Sequence, residues 1–172
     1  MARRGRQRTA EFSDFARAAM PDLYRTASLL CADRHRAEDL VQETLARVYA
    51  RWSTTIDNPA AYAQTTLTRT WISQQRRRST HERPMERLPE HPAPAPDDAL
   101  RLTLLDALAG LEPLDRVIVV MRHLDDVPTA EVALRLGMTD VAVRARLMRA
   151  LRKLRALLDL PFPDLVTEGT TP

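Results

Sequence analysis

The sequence predicts an all-α protein made of two small helical domains joined by a Pro-rich linker. Three observations carry that expectation. The 172 residues are 44% hydrophobic but only 5% aromatic, and no stretch alternates apolar and polar residues for long enough to make a strand. Apolar residues recur instead at helical spacing on both sides of a proline-dense interval. Five of the 12 prolines fall between Pro84 and Pro96, which marks an extended, semi-stiff connection. The expected organisation is a basic N-terminal tail (1–10), a first domain (11–80), the linker (81–98), a second domain (99–160) and a C-terminal tail (161–172).

In the first domain Phe12, Phe15, Ala19, Leu23, Ala27 and Leu30 keep helical spacing, but Pro21 interrupts the run, so two helices or one kinked helix are expected. Asp33 can cap the next helix, in which Val41, Leu45, Val48 and Trp52 form one apolar stripe. Another side of that helix carries Glu38, Asp39, Gln42 and Glu43, two i,i+4 pairs that gather three carboxylates and an amide. Such a face suits docking by a basic partner, and on charge alone it equally suits an ordinary solvated helix. Asn58-Pro59 is a helix start, with an N-cap and a proline in the first turn. Ala60, Ala63, Leu67 and Trp71 can then face the core, while Thr66, Arg69, Thr70, Ser73 and Arg77, with Arg76 beside them, make a polar and basic stripe suited to nucleic-acid phosphates and bases.

The second domain opens with Leu100, Leu104, Leu105, Leu108 and Leu111 on a short amphipathic helix ended by Gly110. Pro113 starts another, with Leu114, Val117, Ile118, Met121 and Leu124 as its apolar face. Two further helices meet at Leu136-Gly137-Met138-Thr139. Val132, Ala133 and Leu136 face inward before the turn, and Val143, Leu147, Ala150, Leu151, Leu154 and Leu158 after it. Gly137 suits the turn, Thr139 caps the last helix and Asp140 complements its dipole. Val141, Ala142, Arg144, Ala145, Arg146, Met148, Arg149 and Arg152 are left facing outward. That is the pattern of a helix-turn-helix, whose second helix enters the DNA major groove with its first turns at base edges and later arginines at phosphates. An amphipathic helix binding a protein is the alternative reading.

Lys+Arg outnumber Asp+Glu by 26 to 23, but the surplus is concentrated. Basic residues cluster at Arg3 to Arg8, Arg69 to Arg87 and Arg144 to Arg155, a distribution suited to a polyanion partner. The single cysteine, Cys31, excludes an internal disulfide and a Cys-based zinc site. His35, His81, His91 and His123 share no ligand spacing, and no Gly-rich phosphate loop or nucleophile motif occurs. The expectation is therefore a non-enzyme with no cofactor, no metal and no small-molecule substrate. No apolar run reaches membrane-spanning length, so a soluble, cytoplasmic protein is expected.

Read together, the two domains resemble a bacterial RNA polymerase sigma factor of the extracytoplasmic-function (ECF) group, over residues 11 to 158. The resemblance rests on AEDLVQE (Ala37 to Glu43) followed by Val48 and Trp52 in the region 2 part. It rests also on Ala130-Glu131-Val132-Ala133, Leu136-Gly137-Met138-Thr139 and Arg149-Ala150 through Leu154-Arg155 in the region 4 part. The NPAAY and TWIS segments before an arginine run are similar to the actinobacterial SigE-type branch. The resemblance implies that Glu38, Asp39, Gln42 and Glu43 dock on the β′ clamp helices of core RNA polymerase. It further implies that the stripe Thr66 to Arg77 meets the −10 element of promoter DNA, that the helix from Thr139 reads the −35 element, and that the region 4 body contacts the β-flap. It also admits an anti-sigma factor as a partner. The chain departs from the branch at Arg69, where asparagine is common, and at Val141-Ala142, where Gly-Thr is usual. It departs again at Pro128, where a capping serine is usual, so Asp126 or Val127 is expected to begin that helix.

Overall fold

The computed structural model describes residues 2–52, 56–81 and 96–158, all helical apart from short connections. The linker expectation for 82–95 and the C-terminal tail at 161–172 lie outside the described residues, as do the side chains of Arg3 and Arg4. Seven helices follow in order among the described residues: α1 Ala2–Cys31, α2 Arg34–Ala50, α3 Pro59–His81, α4 Pro96–Ala109, α5 Pro113–His123, α6 Thr129–Leu136 and α7 Asp140–Leu157.

Helices α1, α2 and α3 form the first bundle. α1 is one 30-residue helix with Pro21 inside it. A proline in a helix interior costs roughly 3 kcal/mol, and packing on both sides of it outweighs that. Toward the C-terminus Leu23, Ala27 and Leu30 are fully buried. Toward the N-terminus Phe12 and Phe15 pack on Tyr49 and Trp52, with ring centroids 4.8 to 5.3 Å apart for Phe12–Tyr49, Phe12–Trp52 and Phe15–Trp52. The expected tail at residues 1–10 is thus largely the first turns of α1. Gln7 bonds Glu11 one turn on, and Arg8 donates to the Tyr49 carbonyl at 2.8 Å while lying over the Tyr49 ring.

The expected caps of α2 and α3 are in place. Asp33 accepts from the Arg36 N–H at 2.8 Å, and Asn58 from the Ala61 N–H at 3.0 Å. Val41, Val48, Ala63, Leu67 and Trp71 are buried as their spacing predicts.

In the second bundle, α5 is the central helix. Val117, Ile118, Val119, Val120 and Met121 are all buried, so α5 has no solvent face along that stretch. It packs on α6 and α7 on one side and on α1 and α3 on the other. The two bundles consequently share one hydrophobic core, running from Leu23, Leu30, Leu67 and Trp71 to Val117, Ile118, Val132 and Val143. A smaller cluster joins Leu108, Leu111, Val119 and Ala150. Two leucines expected on apolar faces are exposed: Leu100 lies in the first part of α4 and Leu124 in the C-cap of α5.

The helix-turn-helix turn forms as expected, with Gly137 at φ 66° and ψ 39°. The Met138 N–H reaches back to the Ala133 carbonyl at 2.9 Å and closes the turn. The start of α6 differs from expectation. It begins at Thr129 with Pro128 as N-cap and no side-chain cap, so neither Asp126 nor Val127 is its first residue. Asp126 is unsuited because it occupies the left-handed region at φ 50°. The segment is secured by Arg122, which donates to the Val127 carbonyl at 2.5 Å.

Candidate nucleic-acid interface

Three helix faces carry the residues singled out above. On α2 the four polar residues do not act as one patch. Glu38 pairs with Arg34 at 2.9 Å. Asp39 and Gln42 are exposed and have no polar partner among the described residues. Glu43 is committed inside the bundle, accepting from Arg47 at 2.6 Å and from Gln74 of α3 at 2.7 Å. The Arg47 hydrogen bond, helped by Gln74, holds the Glu43 carboxyl below its ordinary value against the opposing effect of burial. Asp39 and Gln42 are thus the side chains of this face left open to a partner.

The α3 stripe divides into three parts. Thr66 is half-buried and returns its hydroxyl to the Tyr62 carbonyl at 2.8 Å. Thr70 is only 4% exposed, because it falls on the edge of the arc that carries Leu67 and Trp71. It therefore offers nothing to nucleic acid in this arrangement. Ser73, Arg76 and Arg77 are exposed, with Arg77 bent back onto Ser73. Arg69 leaves its own bundle: its Nε and Nη2 both donate to the Arg135 carbonyl at the end of α6, at 3.0 and 2.7 Å. Beside it a cleft of about 430 Å³ opens between Arg69, Ser73 and Arg76 on one wall and Leu136, Met138 and Arg146 on the other.

On α7 the Thr139 hydroxyl accepts from the Ala142 N–H at 3.2 Å and sets the helix start. Val141 and Met148 are 73% and 60% exposed, and Ala145, Arg149 and Arg152 are exposed beside them, with Ala142 half-buried. Arg144 projects outward with only a long 3.8 Å approach to Asp140. Arg146, expected to face outward, instead donates to Asp115 of α5 at 2.7 Å, and Asp115 itself is largely covered. This arginine fastens α7 to α5. The outward face is therefore an apolar and cationic strip, Val141, Arg144, Ala145, Met148, Arg149 and Arg152, which suits thymine methyls, base edges and phosphates.

Sequence reasoning missed Arg116. It sits in α5 between Asp115 and the apolar run from Val117, donates to the Leu30 carbonyl at 2.7 Å and the Ala109 carbonyl at 2.6 Å, and lies over the Trp71 ring at 5.3 Å. Burial lowers its guanidinium to about 10, which leaves it charged at neutral pH. Cys31, at the end of α1 nearby, is pushed up to about 11 mainly by burial, which keeps the thiol protonated. The signal that could have revealed Arg116 is a cation directly abutting the apolar run Val117 to Met121, whose helix must be covered on every side.

Among the described residues no group of His, Cys, Asp and Glu gathers as a metal site, and no helix is long and apolar enough to cross a membrane.

Comparison with known proteins covers the segments that carry these faces. The family model for Sigma-70 region 2 matches residues 15–81, and that for Sigma-70, region 4 matches residues 101–154. The chain is 39% identical over 152 residues to RNA polymerase sigma-E factor of Streptomyces coelicolor, covering 84% of each chain. It is 33% identical over 145 residues to ECF RNA polymerase sigma factor SigL of Mycobacterium tuberculosis, covering 79% of this chain and 82% of that one. Among solved structures it is similar to the sigma factor RpoE of Bartonella quintana, captured with the anti-sigma factor NepR. That match has a TM-score of 0.70 at 25% identity, over 87% of this chain and 97% of the other.

Proposed function

The chain belongs to the ECF sigma factors, subunits that bind core RNA polymerase and direct promoter-specific transcription initiation, and on that premise we propose how its surfaces divide the work. Asp39 and Gln42, flanked by Glu38, dock on the β′ clamp helices. Glu43 supports that face from within by holding α2 to α3. Ser73, Arg76 and Arg77, with Arg69 once it is released, meet the −10 element. The tip of α7 reads the −35 element through Val141, Arg144 and Ala145, while Arg149 and Arg152 meet phosphates. The two regions correspond to residues 11–80 and 99–160. The protein acts by binding rather than by catalysis, in the cytoplasm where core polymerase is. An anti-sigma factor is a further proposed partner, as the solved relative captured with one suggests.

The observation that carries this reading is the division of labour within one chain. An exposed polar pair, Asp39 and Gln42, lies on α2, and a helix-turn-helix with an exposed basic and apolar face lies on α7. A stand-alone DNA-binding regulator would need only the second. The test is run-off transcription with core polymerase over a genomic template library, with and without the protein. Initiation at a defined promoter set that appears only with the protein is the expected result. No change in the start sites used would overturn the reading.

A further inference from the structure

The cleft beside Arg69 is lined by side chains of two kinds. The polar ones are Arg69, Ser73 and Arg76 of α3 and Arg146 of α7, with no Asp or Glu among them. The apolar ones are Ile72 of α3, Leu114 of α5, and Leu136 and Met138 on either side of Gly137. We propose that this cleft is a binding site for a small amphipathic anion, an oxyanion head carried on a short aliphatic chain.

The polar lining specifies the head. Arg69, Ser73 and Arg76 stand at i, i+4 and i+7 of α3 and so rise from a single stripe of the helix. The Arg69 guanidinium rests on the Arg135 carbonyl through Nε and Nη2. A carbonyl carries no net charge, so the cation is not neutralised there, and Nη1 keeps its hydrogens for another acceptor. Arg146 gives Nη1 to Asp115 at 2.7 Å, which leaves its Nη2 as a donor. Ser73 accepts from Arg77 Nη2 at 3.5 Å, a contact that does not use its own hydroxyl hydrogen. Donors gathered around a cleft that no carboxylate lines recognise an anion. Planar guanidiniums in particular match the paired oxygens of a carboxylate or phosphate.

The apolar lining specifies the body. A nucleobase is held by an aromatic ring on which it can stack, and no aromatic residue lines this cleft. Ile72, Leu114, Leu136 and Met138 offer aliphatic surface instead, with the methionine able to adapt its shape to an alkyl chain. The volume of about 430 Å³ falls in the lower part of the roughly 300–1,000 Å³ span of small-molecule sites, so the body is short.

Occupancy reaches the proposed promoter contacts. Ser73 and Arg76 belong to the −10 face, so ligand and DNA compete for the same donors. That competition rests on the proposed role of α3, whereas binding itself does not.

The experiment titrates the full chain by calorimetry with alkyl phosphates of four, six and eight carbons and with carboxylates of the same lengths, all below the micellar range. Binding should saturate at one ligand per chain and tighten about fourfold per added methylene until the apolar wall is covered. A tighter phosphate series names a phosphate head, a tighter carboxylate series a carboxylate, and equal series a head read only as an oxyanion; each supports the site. Hexylammonium and hexanol should give no saturable heat. Arg76→Gln, at an exposed position, should weaken hexyl phosphate about tenfold with the methylene increment unchanged. Met138→Ser should flatten that increment and spare the head. Circular dichroism checks that both variants fold, and a loss of helix in Met138→Ser leaves Arg76→Gln to decide.

Unsaturable binding, equal binding of hexylammonium, or an affinity that Arg76→Gln does not change overturns the proposal. In run-off transcription, hexyl phosphate at saturating concentration should reduce initiation by the wild-type chain. Saturable binding with undiminished initiation keeps the site and overturns the competition. Absence of initiation without ligand refutes the sigma reading instead, and calorimetry still decides the site.

Discussion

Glu43 and Asp39 lie on one face of α2, yet the structure assigns them opposite behaviour on substitution. Glu43→Ala removes the acceptor of Gln74, a hydrogen bond to a charged group that contributes roughly 1.5–3 kcal/mol. It also removes the Arg47 pair, about 0–1 kcal/mol for a surface contact. The Glu43 side chain is 36% exposed, so solvent screening places the total in the lower part of that range. A loss of about 1.5–2 kcal/mol corresponds to a fall of roughly 3–8 °C in Tm for a chain of this size.

Asp39→Lys breaks no internal contact and should leave stability within about 0.5 kcal/mol. It should instead weaken core polymerase binding about tenfold at low salt, with the difference shrinking as ionic strength rises. The pH dependence separates the two further. The folded value of Glu43 is lowered from 4.5, so its contribution is fully present above 4.5 and is lost as pH falls through the lower folded value. Wild type and Glu43→Ala should therefore converge in stability under acid. The assays are urea and thermal unfolding at neutral and acid pH, and a fluorescence titration against core polymerase. An Asp39→Lys variant as unstable as Glu43→Ala, or a Glu43→Ala variant as stable as wild type, would refute the division between an open docking face and an internal brace.

Two further outcomes follow from local geometry. Gly137→Ala adds a Cβ that meets nothing within 4 Å, so its cost is left-handed backbone strain alone, roughly 1–2 kcal/mol in urea unfolding. Gly137→Asn should lose clearly less, and equal losses would count against the strain account. In a binding selection with duplex libraries, Arg144→Ala should change −35 sequence preference, whereas Arg152→Ala should weaken all duplexes alike and reduce the salt slope by about 1. Uniform losses from Arg144→Ala would remove its base-reading role.

What could be read from the sequence was what a few adjacent residues determine. The caps at Asp33, Asn58 and Thr139 and the turn at Gly137 depend on side chains within four positions, and each forms as its chemistry predicts. The two-region organisation was legible because region-specific motifs occur in order, and the family matches agree with it. Partners distant in sequence were not legible. Arg69, Arg146 and Glu43 all read as outward-facing by helical period, but each finds a partner across at least 31 residues of sequence. Pro21 left two helices or one kinked helix open, and a single helix containing it forms because tertiary packing along α1 outweighs the local helix breaker. The unbroken run Val117 to Met121 did carry a signal, since a helix apolar all round must be covered on every side.

Because Val117 to Met121 are covered on every side and one core joins them to Leu23 and Trp71 as well as to Val132 and Val143, a cavity cut into α5 is felt by both bundles at once.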